Sequence, residues 1–368
     1  MADGDMTWAR LDPTYVPPEI DTTVPSVARV YDAILGGKDN FEVDRAVAAE
    51  AMRTMGDGGN GARLNRAALG RAVRYMAGRG VSQFLDLGSG LPAAQNTHQI
   101  ARAANPEARV VYVDSDPSVS VHGQALLTGD DSTVVVLADV RSPDELLALP
   151  AVAGFLDFSR PIGLILNAVI HHLLDEEDPR GIVARYRDAL APGSYLQLTH
   201  FCDESAEARA NSEVLRRSLG RGQVRSRREI VRFFDGLDLV PPGVVFLPYW
   251  RPDVPVDSPP PAGSMLMLVG VARKLALESC DGRRGGDLRE QVVHPGGALG
   301  DLVPHGVDAD QPLPAEVGGG VLDQRPGVGD IGDPLFHGVE AQSGLGHRPP
   351  VERVLQPAIP ISGDRRVR

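Results

Sequence analysis

Three aspartates and a pair of glycines carry the densest chemistry in this chain. The stretch "FLDLGSGLPAA" (84–94) ends an apolar run at Leu87 and then places Gly88, Ser89 and Gly90 ahead of a helical stretch. Such a loop lets the backbone turn tightly and brings free N–H donors to a ligand. Asp86 stands two residues before Gly88, where its charge repels a pyrophosphate and suits an ammonium group. Asp114, with Ser115 after it, ends the next apolar run, "VVYVDSD", a place from which a carboxylate accepts hydrogen bonds from ribose hydroxyls. Asp139, followed by Val140, ends the third run, "VVVLADV", and adds an acceptor at the same edge. Imidazoles offer a second chemistry. His171 and His172 follow the fourth run in "NAVIHHLLDEED", and His200 ends the fifth in "LQLTHF". A histidine there can orient or deprotonate a nucleophile, because its ordinary pKa lies near neutrality; the plainer alternative is that these rings pack and cap. There is no G-x-S-x-G, and "HH" lacks the H-E-x-x-H metal spacing.

The elements that must position these groups are legible as texture. "QFLDLG", "ARVVYVDSD", "STVVVLADV", "PIGLILNAVI" and "GSYLQLTHF" are short, continuous apolar runs rich in β-branched residues, separated by helical stretches at 94–104, 117–127, 143–149 and 179–190. That alternation predicts an α/β fold with a parallel sheet covered on both faces. Ligands of such sheets bind outside the carboxyl ends of the strands, where all three aspartates are expected. "DLVPPGVVFLP" and "SMLMLVGVARK" predict two further strands forming an antiparallel closing pair. The first eighty residues instead read as helical, over 25–35, 42–53 and 62–79.

Within that helical start, "VYDAILGGKDNF" (30–41) sets two glycines beside Lys38, one of two lysines in the chain. It is not a phosphate loop, since Asp32 holds the first glycine position of G-x-x-x-x-G-K-[ST] and Asp39 follows the lysine. Two readings stand: a lid, with Gly36 and Gly37 allowing close approach to a ligand and Tyr31 and Asn40 adding an aromatic wall and a hydrogen bond, or a glycine C-cap with a surface turn.

Composition narrows the function class. The 368 residues are 42% hydrophobic and 23% charged, as in globular proteins, with no apolar run long enough to span a bilayer. A net charge of −12 argues against nucleic acid or an anionic membrane as partner. The start "MADGDMTWARLDP" has neither a basic n-region nor an apolar h-region, so a cytoplasmic location is expected. Cys202 and Cys280 make neither a disulfide framework nor a zinc site, and Cys202 reads as a buried thiol. The basic stretch 221–234 reads as a solvated helix face, and "LPYWRPD" with Tyr249 and Trp250 as a packed corner. Residues 275–368 contain 17 Gly and 10 Pro in 94 positions and are expected to form a disordered tail, with four histidines too scattered for a metal site.

Gly88-x-Gly90-x-x-Ala93 also satisfies the relaxed dinucleotide fingerprint, so the loop alone leaves an NAD-dependent oxidoreductase open. Taken with the three strand-end aspartates, the pattern resembles the class I S-adenosylmethionine-dependent methyltransferases. "VPSVARVYDAILGGKDNFEVDRA", "FLDLGSGLPAAQNTHQIA", "RVVYVDSDP" and "DFSRPIGLILNAVIHHLLDEEDP" together resemble a group of actinobacterial methyltransferase-like proteins, formerly a domain of unknown function, over about 12–274. Pro92 stands where the family loop usually has a third glycine, Ala33 where an aromatic is expected, and Ala93-Ala94 replace a threonine-containing turn. The resemblance implies a Rossmann-like seven-stranded sheet with an antiparallel last strand. It implies three regions: a helical lid (1–80), an S-adenosylmethionine-binding core (81–274) and the tail (275–368). By the same analogy Asp86 and the 88–90 backbone face the methionine moiety, Asp114 with Ser115 the ribose, Asp139 with Val140 the adenine, and Asn167 the methyl side beside His172 and His200. The expected activity is methyl transfer to a small-molecule acceptor, with no metal; a cofactor-binding regulator without transferase activity is the alternative.

Overall fold

The computed structural model describes residues 19–56, 59–93, 95–126, 130–256, 260 and 263–276, all within the unit Met1–His294. The expected tail beyond residue 276, including Cys280 and its four histidines, lies outside the described residues. The chain opens with three helices, α1 (Val27–Leu35), α2 (Glu42–Met55) and α3 (Asn60–Ala77). There follow β1 (Gln83–Leu87), α4 (Thr97–Ala104), β2 (Arg109–Asp114), α5 (Pro117–Leu126), β3 (Thr133–Leu137), α6 (Pro143–Ala148), α7 (Pro150–Ala153), β4 (Gly163–Leu166), α8 (Pro179–Ala189) and β5 (Tyr195–Phe201). The last elements are α9 (Ala206–Leu219), α10 (Arg227–Val231), β6 (Asp238–Leu239), β7 (Val245–Phe246) and β8 (Met267–Arg273).

The spatial order β3-β2-β1-β4-β5-β8-β6 makes one sheet, parallel from β3 to β5 and antiparallel at β8. Both β6 and β7 pair antiparallel with β8, at Arg273–Ala272 and Val269–Leu268 respectively. They are two pieces of one strand position, interrupted at Pro241-Pro242-Gly243 because proline cannot donate to the ladder. The expected seven strand positions are therefore present, with the closing pair antiparallel as expected.

Every residue of β1, β4 and β5 is buried, as a strand covered on both faces requires. Side chains alternate between two apolar clusters. Phe84, Val110, Tyr112, Tyr195 and Phe201 face the side covered by α2, α3 and α4, whereas Leu85, Leu87, Val111, Val113, Leu196 and Leu198 face the side of α6 to α8 and α10. This alternation decides which strand-end groups reach a common site.

The helical start is fastened by one buried ion pair. Ser26 caps α1 by accepting from Arg29 N, and Arg29 Nε donates to Asp44 Oδ2 of α2 at 2.9 Å, both side chains almost fully buried. Asp44 also accepts from the backbone of Ser26 (3.0 Å) and Phe41 (2.9 Å), while Arg29 reaches Ser118 of α5 at 3.3 Å. Removing one member of such a pair strands the other charge, at a cost of about 3–5 kcal/mol.

Candidate functional site

A cavity of about 530 Å³ opens at the carboxyl ends of the strands. Asp86, Gly88, Ser89, Gly90, Asp114, Ser115, Asp139, Val140 and Asn167 all line it, so the strand-end residues singled out from sequence converge. The loop after β1 folds over β2, with Gly88 N and Ser89 N both donating to Val113 O (2.7 and 3.1 Å). Gly88 and Gly90 both have left-handed backbones (φ +66° and +69°). A Cβ on Gly88 would meet Val169 Cγ2 at 2.5 Å, whereas Gly90 faces open space, the arrangement of a backbone that a ligand can approach.

The carboxylates differ in state. Asp86, buried on β1, accepts from Thr97 Oγ1 at 2.6 Å, and desolvation pushes its pKa up to about 6 against the opposing pull of Thr97 and Arg66. Asp114 accepts from Gly90 N (2.8 Å) and Asp116 N (2.9 Å), and burial raises it likewise to about 6. Asp139 is held below the usual carboxylate range because Arg141 donates to both of its oxygens from Nε at 2.9 Å. Arg141 continues to Glu177 Oε1 at 2.8 Å, and Glu177 in turn accepts from Arg221 at 3.1 Å at both oxygens. Asp116 Oδ2 is buried at the cavity with no partner.

At the end of β4, Asn167 Oδ1 accepts from Gln197 Nε2 at 3.1 Å, turning the amide nitrogen into the end with donors to spare. Ala168 follows with φ +62°, a conformation that costs a non-glycine residue about 1–3 kcal/mol, and donates its N–H to Thr199 Oγ1 at 2.8 Å. Nothing in the sequence signals that strain. His172 lines the cavity, and burial together with Arg221 lowers its pKa to about 4, so the ring is neutral at pH 7. His171 also lines the cavity and is driven well below its ordinary value by burial.

His200 is a correction. It does not line the cavity, because it occupies the opposite register of β5 from Phe201, which does. Its Nδ1–H donates to Phe201 O at 2.8 Å, and Nε2 meets Arg225 Nη1 at 2.7 Å. With both nitrogens taken it has no lone pair to offer a substrate.

The segment 30–41 needs a second correction. Tyr31 lines the cavity, its hydroxyl donating to Ala62 O (3.2 Å) and accepting from Asn65 Nδ2 (3.0 Å). Gly36, Gly37 and Asn40 do not line it. Gly36 is the left-handed C-cap of α1, and the turn closes on Asp32, whose Oδ2 accepts from Asn40 Nδ2 (2.7 Å) and Asp39 N (3.0 Å). A Cβ on Gly37 would collide with the Asp32 carboxylate, so these glycines serve the cap and turn rather than a ligand.

The basic stretch 221–234 is a solvated face only in part: Arg228 and Arg232 are exposed, but Arg225 turns inward. Arg225 is buried and donates to Ile170 O (3.2 Å), Leu173 O (2.9 Å) and Asp175 Oδ1 (2.7 Å), while Gln223 N donates to His171 O at 2.8 Å. The stretch clamps the turn that carries His171 and His172. Of the expected packed corner only Trp250 is fully buried, against Tyr75, whereas Tyr249 is exposed; Cys202 is a buried free thiol whose pKa burial raises to about 11. Among the described residues no helix is long and apolar enough to cross a membrane, and no His, Cys, Asp and Glu group is placed to hold a metal.

Sequence reasoning missed α9, whose Asn211, Leu215 and Leu219 wall the cavity. Its signals were present: Ser205 accepts from Ala208 N as N-cap, and buried residues recur at Ala208, Asn211, Ser212 and Leu215.

The S-adenosyl methyltransferase family model matches residues 13–275. The chain belongs to this family. A crystal structure of a candidate methyltransferase from Thermobifida fusca YX is 48% identical and covers 72% of this chain and 100% of its own, with a TM-score of 0.68. A DUF574 family protein from Streptomyces avermitilis MA-4680 is 37% identical over 70% of this chain and 100% of its own, with a TM-score of 0.66. No curated protein matches the chain. The methyltransferase therefore uses S-adenosylmethionine, which sets aside the NAD reading left open by the glycine spacing.

Proposed function

We propose that this methyltransferase binds S-adenosylmethionine along the carboxyl ends of β1 to β3 and methylates a small molecule held beside it. The array of Asp86, Asp114 and Asp139 around one glycine loop, in one cavity, carries the reading. The residues present fit the cofactor. Asp86 is a desolvated carboxylate that gains from a neighbouring cation, and Asp116 Oδ2 and Asp114 are acceptors suited to vicinal hydroxyl donors. In this reading Ser89 and Ser115 add polar groups beside those carboxylates, and Val140, whose carbonyl accepts from Tyr186 OH at 2.9 Å, flanks the adenine end with Asp139.

When bound, S-adenosylmethionine supplies a methyl carbon already activated by its sulfonium. The protein's remaining work is positioning and exclusion of water. Asn167 and the Ala168 peptide fix the floor, His172 orients the acceptor as a neutral ring, and Tyr31 with the rest of α1 covers the cavity. We read α1 to α3 as that cover, resting on the core from β1 onward. The covered cavity and the charge of −12 support a small acceptor over nucleic acid. The organisms of the two relatives support an actinobacterial source, with a cytoplasmic setting the accompanying expectation.

Calorimetric titration with S-adenosylhomocysteine tests the assignment. Asp114→Ala is expected to weaken binding by about 1–3 kcal/mol, the cost of unmatched hydrogen bonds; unchanged affinity removes Asp114 from the site.

A further inference from the structure

The strand order sets out the cavity's contents in sequence along the sheet edge: Asp139, Asp114, Asp86 with Gly88, Asn167, Phe201 and Met267. The acidic groups of that edge stop at β1. Beyond β4 the wall is made by Phe201, Leu266 and Met267 together with Asn211, Leu215 and Leu219 of α9, none of them charged. Three polar atoms on this side of the cavity are buried without a partner. They are Asn211 Oδ1 and His171 Nδ1, each on a residue only 2% exposed, and Nδ1 of the half-buried His172 beside them. Native interiors rarely leave such groups unpaired. Of nine among the described residues, four belong to residues lining this cavity, Asp116 Oδ2 in the acidic half and these three in the apolar half, which points to ligands that pair them.

We propose that the β4–β5–α9 half of the cavity is the acceptor subsite, and that it takes an uncharged, predominantly apolar small molecule. That molecule donates one hydrogen bond to Asn211 Oδ1 and presents its reacting hydroxyl or neutral aryl amine to the His171–His172 pair. The proposal rests on the cofactor occupying the β1–β3 half.

Charge supports it. A carboxylate or ammonium placed against this wall would lose its hydration with no counter-ion to replace it. Arg221, two residues beyond α9, also lines the cavity, and its Nη1 is spent on both oxygens of Glu177 at 3.1 Å and on His172 O at 3.3 Å. The histidines are neutral rings, able to donate from one nitrogen and accept at the other, which matches a hydroxyl or amine and not an ion. The amide oxygen is the buried unpaired atom on α9 and asks for a donor, so an ether or ester oxygen at that point leaves it unmatched.

The test uses the full chain saturated with S-adenosylhomocysteine and titrated with three probes of one shape: 2-naphthol, 2-naphthoate and 2-naphthylmethylammonium. The expected result is that naphthol binds at least about tenfold tighter than either ion, and that Asn211→Leu weakens naphthol about tenfold while leaving S-adenosylhomocysteine affinity within about twofold. If Asn211→Leu does not fold by thermal melting, Asn211→Ser provides the same comparison. Naphthoate binding as tightly as naphthol, no naphthol binding, or naphthol binding indifferent to Asn211 each overturns the proposal while the cofactor reading stands. A chain that fails to bind S-adenosylhomocysteine overturns the cofactor reading, and the subsite assignment falls with it.

Discussion

Arg225 Nη1 lies 2.7 Å from His200 Nε2, and an arginine can only donate, so His200 is locked as the neutral ring with its proton on Nδ1. Desolvation and that guanidinium lower its pKa to about 3. The same arginine holds the carbonyls of Ile170 and Leu173, so it fixes the turn bearing His172 without touching the cavity.

Arg225→Met should therefore strand those carbonyls and release the turn. The expected loss of stability is about 2–4 kcal/mol, since several buried groups lose their partner together. The imidazole of His200 should titrate higher once the cation is gone, read by 15N shifts. S-adenosylhomocysteine affinity should change little, because the acidic half of the cavity is carried by other strands; a large loss would show that the turn also shapes the cofactor side.

Asp86→Asn should separate stability from binding. Asp86 titrates at about 6 when folded and near 3.8 when unfolded, so the native state holds the extra proton between those values. Its charge therefore costs stability as pH rises through that window, fully so above pH 6. Removing it is expected to raise the melting temperature of the ligand-free protein at pH 7, by about 1–2 kcal/mol of stability, and to leave it unchanged below pH 4. Cofactor affinity should fall at the same time, because the cation loses its counter-charge.

Affinity for S-adenosylmethionine should depend on pH through the same groups. Asp86 and Asp114 both titrate at about 6 and must ionise to hold a cation and hydroxyl donors. Binding is expected to be flat above pH 7 and to weaken below 6 by roughly tenfold per pH unit for each carboxylate that protonates. His172, at about 4, contributes nothing in that range. Calorimetry from pH 5 to 8 in constant ionic strength reads the curve, and a flat one refutes the role of both carboxylates.

Gly37→Ala should behave as a structural lesion. The added Cβ meets the Asp32 carboxylate, which closes the turn onto Asn40 and Asp39. A loss of about 1–3 kcal/mol is expected on thermal or urea unfolding. Asn40→Ala should follow it in direction, since both act on Asp32. If either weakened cofactor binding without lowering stability, the turn would have to reach the ligand after all.

The parts of this fold that local chemistry dictates were readable from the chain. Five apolar runs ending in Asp86–Leu87, Asp114, Leu137, Leu166 and Phe201 gave the strands, because burial on both faces demands uninterrupted apolar residues. The acidic ends of the first three converged because parallel strands share an edge. What failed was information carried by side-chain direction. His200 lies one residue from Phe201 and so on the other face of β5, a period-two argument that topology alone does not make. Asn40 and Gly37 looked like ligand groups because a turn knotted around a buried aspartate resembles, in one dimension, a loop that waits for one. Helix α9 went unread although Ser205 announces it, because its exposed arginines dilute the apolar stripe that faces the cavity.

One sheet edge divided between two sets of strands has a consequence for how such a protein can change over generations. The acidic half depends on β1 to β3 and their loops, and the apolar half on β5, Leu266, Met267 and three positions one helical turn apart on α9. Replacement of Asn211, Leu215 or Leu219 alters what the cavity accepts without disturbing a single aspartate. New acceptors can thus be acquired by drift along one exposed amphipathic helix, while the donor chemistry is inherited intact.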